Sequence, residues 1–473
     1  MPGHTLTSSL LATVVALSMS SAALAVPPIA PADSKTRHST ESLARRALAA
    51  NAESASAVAE LRSMGPEGLR AFLETNRREI EAALKTPTGA FNGGSSKGDA
   101  RPSDSRNHAR SAQNDHVLST LDSICKQKDC YASKLYWHTD LEQAKTSARA
   151  QGKPILSLRL LGRLDEDLSC ANSRLFRITL YANEQISNLL RERFVLHWQS
   201  VRPVPKLTID FGDGRKMERT LTGNSIHYVL DSEGRLIDAL PGMYGPGAFL
   251  RELERVSSSI GAAANLATID TDEERNRALR RYHALRLNEI ENAWLADVKR
   301  AGLRVAPSRE ISRPAAFGSS PPSAEIAATA AISKTGLVER PILRGMSDNP
   351  NLLDSIGTDG AWSMIARLHA GDATLDQATR ALMLFKDPLL TGALLQAAVF
   401  ALERSVAEDT VRNEYVFRAR IHQWLASGTT SPDVATLNEK IYAELFLTPS
   451  WDAWLGLRPA GAYSGIDSDG VMK

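Results

Sequence analysis

Residues 153–176 read KPILSLRLLGRLDEDLSCANSRLF. Ile155 to Leu161 form a mostly apolar run of strand length. Pro154 sits at its first position, where a missing N–H is tolerated. A polar loop follows, Arg163 to Ser169, and then Cys170. From Asn172 to Arg193 the apolar residues recur at helical spacing. Asn183 is placed to cap a second helical segment carrying Ile186, Leu189 and Leu190. Cys170 therefore stands where a strand and loop hand over to a helix. The helix dipole and the free N–H groups of a first turn favour a thiolate there, and Arg174, one turn on, adds to this. Asp165, Glu166 and Asp167 just upstream act the other way. Three residues after Cys170 comes Ser173, so the motif is C-x-x-S and keeps one thiol.

The flanking segments extend this pattern. Upstream, TDLEQAKTSARAQG (139–152) predicts a helix capped by Thr139 or Asp140, with Leu141, Ala144 and Ala148 on one face and Gly152 at its end. Downstream, FVLHWQSV (194–201) reads as a strand. LTIDFGDGRKMERTLTG (207–223) reads as a hairpin around Gly212-Asp213-Gly214, and IHYVLDSEGRLIDAL (226–240) as a second hairpin turning at Ser232-Glu233-Gly234. PGAFLRELERV (246–256) closes with a helix. A parallel strand pair joined by a helix and followed by an antiparallel hairpin predicts an α/β domain over 118–259, a mixed sheet with helices on both faces.

This order of elements resembles the thioredoxin fold over residues 135 to 255. The 35 or so residues around Cys170 resemble more closely the thioredoxin-like segment of selenoprotein N, where an acidic loop and a redox pair precede a helix and a strand. The resemblance implies a thioredoxin-like domain with its active position at Cys170. Ser173 then stands in place of a thioredoxin's second thiol, and Ala171 in place of the selenocysteine. The family also carries a cis-proline before the strand that faces the active site. That place falls near Asn224, Ser225 or Ile226, and there is no proline from 206 to 240. The implied activity is thiol–disulfide exchange, or a mixed-disulfide reaction, at Cys170 on a protein thiol or disulfide substrate. Against it stands a Cys170 that is a small packing residue of a redox-inactive scaffold, binding another envelope protein through a helical C-terminal domain. A third reading is a peptide-binding holdase that uses no thiol.

The chain has 473 residues, so two or three folded units are expected. Residues 1–25 contain SLLATVVALSMSSAALA, an apolar stretch ending in an A-x-A site, the pattern of a secretory signal peptide cleaved between Ala25 and Val26. No later segment is long and apolar enough to span a membrane. The mature protein is expected to be exported, periplasmic or extracellular. In an oxidising compartment the neighbours Cys125 and Cys130 pair as a disulfide, which leaves Cys170 as the odd thiol. The expected organisation is a linker over 26–39, a helical pair over 40–85 with Gly65 and Pro66 between its members, and a disordered linker over 86–115. A long helix over 271–300, a second linker over 303–335 and an all-α domain over 350–458 follow the α/β domain.

A formal net charge of +2 does not point to nucleic acid. The ten histidines form no H-x-H, H-E-x-x-H or C-x-x-C-H arrangement, so no metal site and no cofactor is expected from spacing. His197 and His227 lie on strands and read as core or edge residues. The DFG at 210–212 lies in a hairpin turn without kinase context. Tyr415, Trp424, Tyr442, Phe446, Trp451 and Trp454 read as a helical core, with an exposed aromatic groove for a protein partner as the lesser alternative.

Overall fold

The run beginning at Ile155 becomes a strand buried along its whole length. In the computed structural model, which describes residues 34–49, 51–85, 102–258, 261–310, 323–328, 332–346, 351, 354, 359–457 and 465–471, β1 (Ile155–Leu161) is an inner strand of a four-stranded sheet. The order is β2-β1-β5-β6, with β2 at Val195–Arg202, β5 at Ile226–Leu230 and β6 at Leu236–Pro241. β1 runs parallel to β2, with Ile155 beside Val195, and antiparallel to β5, with Ile155 beside Leu230. β5 and β6 form the second hairpin. Every residue of β1, β5 and β6 is buried, which requires cover on both faces of the sheet. Beyond β2 the main chain of His138 adds a bridge, donating to the Leu196 carbonyl at 2.8 Å and accepting from the Trp198 N–H at 3.0 Å. The first hairpin, β3 (Lys206–Asp210) and β4 (Lys216–Thr220), stands apart as a largely exposed ribbon.

The helices follow their caps. Asp140, rather than Thr139, caps Leu141–Gln151, its carboxylate accepting from the Gln143 N–H at 2.9 Å, and Gly152 ends the helix at φ 62°. Asn183 caps Glu184–Arg193 in the same way, accepting from Ile186 at 3.1 Å. Between Cys170 and Asn183 the chain is not one regular helix. Ala171–Phe176 passes into a π turn, Arg177–Tyr181.

Three expected boundaries are corrected. Residues 40–85 hold more than a helical pair: Ser34–Ala47, Glu53–Ser63, Pro66–Thr75 and Arg77–Leu84 are all helical, so the 26–39 linker ends by residue 33. Residues 102–115 are not a disordered linker but the first part of a helix, Pro102–Cys125. Its C-terminal half buries Val117, Leu121 and Ile124 against Leu43, Leu61, Leu69, Phe72 and Ile80. That anchored half nucleates the helix, and the polar part upstream only has to propagate it. The 303–335 linker contains helical turns at Ala324–Ala328 and from Ile332 onward, where Ala324, Ala328 and Ile332 pack with Leu343. Alanine-rich sequence reads as a linker, but alanine is also the best helix former and packs closely. The signal peptide (1–25), the Ala25/Val26 junction and residues 86–101 lie outside the described residues.

The long helix, Asp272–Arg300, and the C-terminal helices Gly360–Leu368, Gln377–Lys386, Gly392–Arg412, Ala419–Ser427 and Val434–Glu444 match the all-α expectation as elements. They do not form a separate core. One continuous apolar core runs from Leu135 in the sheet region to Leu455. Polar contacts stitch the same boundary: Tyr228 on β5 donates to Asn438 at 3.2 Å, and Arg202 at the end of β2 donates to the carbonyls of Thr448 and Pro449 at 2.7 and 2.9 Å. Among the described residues no helix is long and apolar enough to cross a membrane.

Candidate functional site

Cys170 is fully buried. Its N–H donates to the carbonyl of Leu161 at 3.2 Å, so the end of β1 holds it in place, and it serves as the N-cap of Ala171–Phe176. Its Sγ lies 3.2 Å from Ser225 Oγ and donates to Ser173 Oγ at 3.4 Å. Ser173 Oγ in turn lies 2.8 Å from Ser169 Oγ and 2.9 Å from the Cys170 carbonyl. Cys170 and Ser173 are thus in hydrogen-bond contact. Arg174 is turned aside, donating to Thr220 Oγ1 at 3.0 Å. Burial lowers its pKa, while Cys170 and Glu339 pull the other way.

The acidic loop bears less on the thiol than its sequence suggests. Asp165 pairs with Arg163 at 2.8 Å and with Lys126 at 3.6 Å, and Asp167 with Lys128 at 3.7 Å. These cations offset most of the loop's charge.

Two elements close the chamber. The first is the turn Thr222-Gly223-Asn224 before β5. Thr222 has φ 59° and Gly223 φ 96°, and a Cβ on Gly223 would lie 2.6 Å from Leu161 Cδ1 and 3.3 Å from Cys170 Cβ. Only glycine fits so close a backbone approach in that conformation. The second is a capping segment, residues 332–346, which includes a π turn at Thr335–Glu339. Lys334, buried, donates to the Gly223 carbonyl at 3.2 Å and lies 3.7 Å from the buried carboxylate of Glu339. From the C-terminal helices Tyr442, also buried, donates to the Asn224 carbonyl at 2.8 Å. Asn172 donates to Asn224 at 3.0 Å, but Asn172 Oδ1, Asn224 Nδ2, Thr222 Oγ1 and Arg174 Nε have no hydrogen-bond partner. The thiol therefore sits in a polar, closed chamber.

Cys125 and Cys130 are joined as a disulfide, with Cα atoms 6.2 Å apart. It belongs to the core of the N-terminal helices, and both cysteines are fully buried there. His197 and His227 are buried and polar-partnered: His197 lies 2.8 Å from Ser157 Oγ, and His227 lies 2.7 Å from the Tyr181 hydroxyl. Burial lowers both pKa values to about 3, so both imidazoles are neutral.

Sequence reasoning missed a second constellation. Asp238 on β6, His283 on the long helix and His422 on Ala419–Ser427 are all buried, and each offers one ligand atom within 4.8 Å of the others. Their separation along the chain removes any local spacing signal. Around them Arg418, fully buried, donates to Asp238 at 2.9 Å and pairs with Glu252 at 2.8 Å and Glu414 at 3.1 Å. Burial pushes the Asp238 carboxyl up, but Arg418 and the two imidazoles outweigh this and hold it below the usual carboxylate range. Glu252, Glu414 and Arg286 also line a surface cleft of about 210 Å³ between the long helix and the Pro246–Ser257 helix.

No protein-family model, curated protein or solved structure matches this chain.

Proposed function

We propose that the chain is an exported protein of thioredoxin-like fold that works without thiol turnover, as a redox-inactive scaffold for another envelope protein. The carrying observation is the state of Cys170: fully buried, hydrogen-bonded through Ser225 and Ser173, and closed over by Lys334 and Tyr442. A thiol that attacks a protein disulfide needs in-line access to a sulfur atom, and this one has none. The strand order β2-β1-β5-β6, with one parallel and two antiparallel pairs, supports the fold assignment, as does the cysteine capping the helix after β1. On this reading the turn at 222–224 stands where the family has its cis-proline. Exposed apolar side chains on the C-terminal helices, Leu394 and Phe400, together with Trp451, support the partner half of the proposal.

A second reading is favoured by the unpaired polar atoms around the thiol, since such groups cluster where a chamber opens or takes up a ligand. In it the capping segment lifts and the Cys170 thiolate attacks a substrate disulfide. The S–S bond breaks, the far sulfur leaves as a thiol after protonation, and a small external thiol resolves the mixed disulfide.

Labelling kinetics separate the two. On the scaffold reading Cys170 reacts with a maleimide only as fast as the chain unfolds globally, and capture of a partner survives Cys170→Ser but is lost in Phe400→Asp. Labelling far faster than global unfolding, together with trapped mixed disulfides, would overturn it.

A further inference from the structure

We propose that Asp238, His283 and His422 form a divalent transition-metal site of the zinc class, independent of Cys170. The three side chains come from β6, the long helix and the Ala419–Ser427 helix, and all three are buried. Two imidazoles and one carboxylate are the donor set that zinc and its neighbours take in sites with an open position.

The imidazoles lack an adequate hydrogen-bond arrangement of their own. His283 Nδ1 lies 2.8 Å from His422 Nδ1, so one proton serves both rings at that contact. The Nε2 atoms of both rings are buried without a hydrogen-bond partner. Asp238 Oδ1 is 3.8 Å from His422 Nε2, beyond hydrogen-bond reach. The two Nδ1 atoms thus face each other, and neither Nε2 has a hydrogen-bond partner. A cation bound through both Nδ1 atoms replaces the imidazole–imidazole contact with two metal–nitrogen bonds, and each Nε2 then carries its ring's proton.

The dimensions suit the ion. Bonds of about 2.0–2.1 Å in tetrahedral geometry place ligand atoms about 3.3 Å apart. The spread here, from 2.8 Å between the rings to at most 4.8 Å within the group, brackets that value.

The surroundings suit a cation as well. Asp238, Glu252 and Glu414 face two guanidiniums, Arg286 and Arg418, which leaves one formal negative charge. Tyr282 donates to Asp238 Oδ2 at 2.6 Å and orients the carboxylate, an outer-shell contact of the kind that fixes metal ligands. Glu252, Glu414 and Arg286, which face Arg418 or its partners, also line the surface cleft beside Tyr244.

The test uses the untagged full chain. After dialysis against zinc and then metal-free buffer, we expect one zinc per chain by elemental analysis and a higher thermal midpoint than for the chelated protein. Cobalt should give ligand-field bands of a nitrogen–oxygen site without a thiolate charge-transfer band. His283→Gln and His422→Gln should each weaken zinc binding at least tenfold, and Cys170→Ser should leave it unchanged. Absence of retained metal with no thermal shift would overturn the proposal, as would full retention in His422→Gln or loss in Cys170→Ser. If the histidine variants do not fold, the wild-type cobalt spectrum and thermal shift decide between the same two outcomes.

Discussion

At the scale of the residue, the cysteine that marks the strand-to-helix junction is also the one the fold closes off. Its position is a local property: β1 ends, the loop turns, and the helix needs an N-cap. Its exposure is not local, because Lys334 and Tyr442 arrive from 164 and 272 positions away in the chain. Gly223 carries the sharpest single-residue consequence. A methyl there meets Leu161 and Cys170 in a left-handed backbone conformation. Gly223→Ala should therefore cost about 2–4 kcal/mol in urea unfolding, through backbone strain and overpacking together. A loss below a few tenths of a kcal/mol would show that the turn relaxes freely. The glycine was readable in the sequence, but its reason was not, since the atoms it must avoid lie on another strand and at the helix start.

At the scale of the element, the capping segment is held by its own N-terminus. The Asp409 carboxylate, buried on the Gly392–Arg412 helix, accepts from the N–H groups of Ile332 and Ser333 at 2.6 and 3.0 Å. It serves as a cap supplied from another element, and burial raises its pKa to about 6 despite these donors. Asp409→Ala removes the anchor without touching Cys170. The maleimide reaction of Cys170 should then speed up about tenfold or more relative to global unfolding, because the segment opens locally. An unchanged ratio would mean that other contacts seal the chamber. No sequence rule foretold this element: a Pro-, Ser- and Ala-rich stretch lacks periodicity, and its helical turns exist because a distant carboxylate and a small apolar cluster receive them. The strands and the helices capped by Asp140 and Asn183 were readable, because their caps and periodicity lie within a few residues.

At the scale of the whole molecule, the sheet and the C-terminal helices share one core, and elements distant in sequence are also tied by charge pairs. His369 shows how. It pairs with Asp297 on the long helix and lies 3.6 Å from Asp372, which also pairs with Arg251; Tyr415 donates to Asp297 at 2.5 Å. Hydrogen bonds to the two carboxylates raise the His369 pKa from 6.5 to about 9. The folded state then binds a proton that the unfolded state releases, so this contribution is complete below pH 6.5 and is lost as pH rises through about 9. Urea unfolding should show stability falling across that window in the wild type and a flatter profile in His369→Gln. Parallel profiles would refute the assignment.

By itself the sequence determined the α/β order of the central region, the cysteine at the start of a helix, the single thiol of the C-x-x-S motif and the helical character of the C-terminal part. These follow from periodicity, caps and turn residues, which act over a few positions. Only the tertiary structure decided that Cys170 is closed in, that residues 332–346 cap it, that the C-terminal helices belong to the core of the sheet, and that Asp238, His283 and His422 converge. Those outcomes depend on burial and on contacts between residues far apart in the chain, and both arise only when the elements pack.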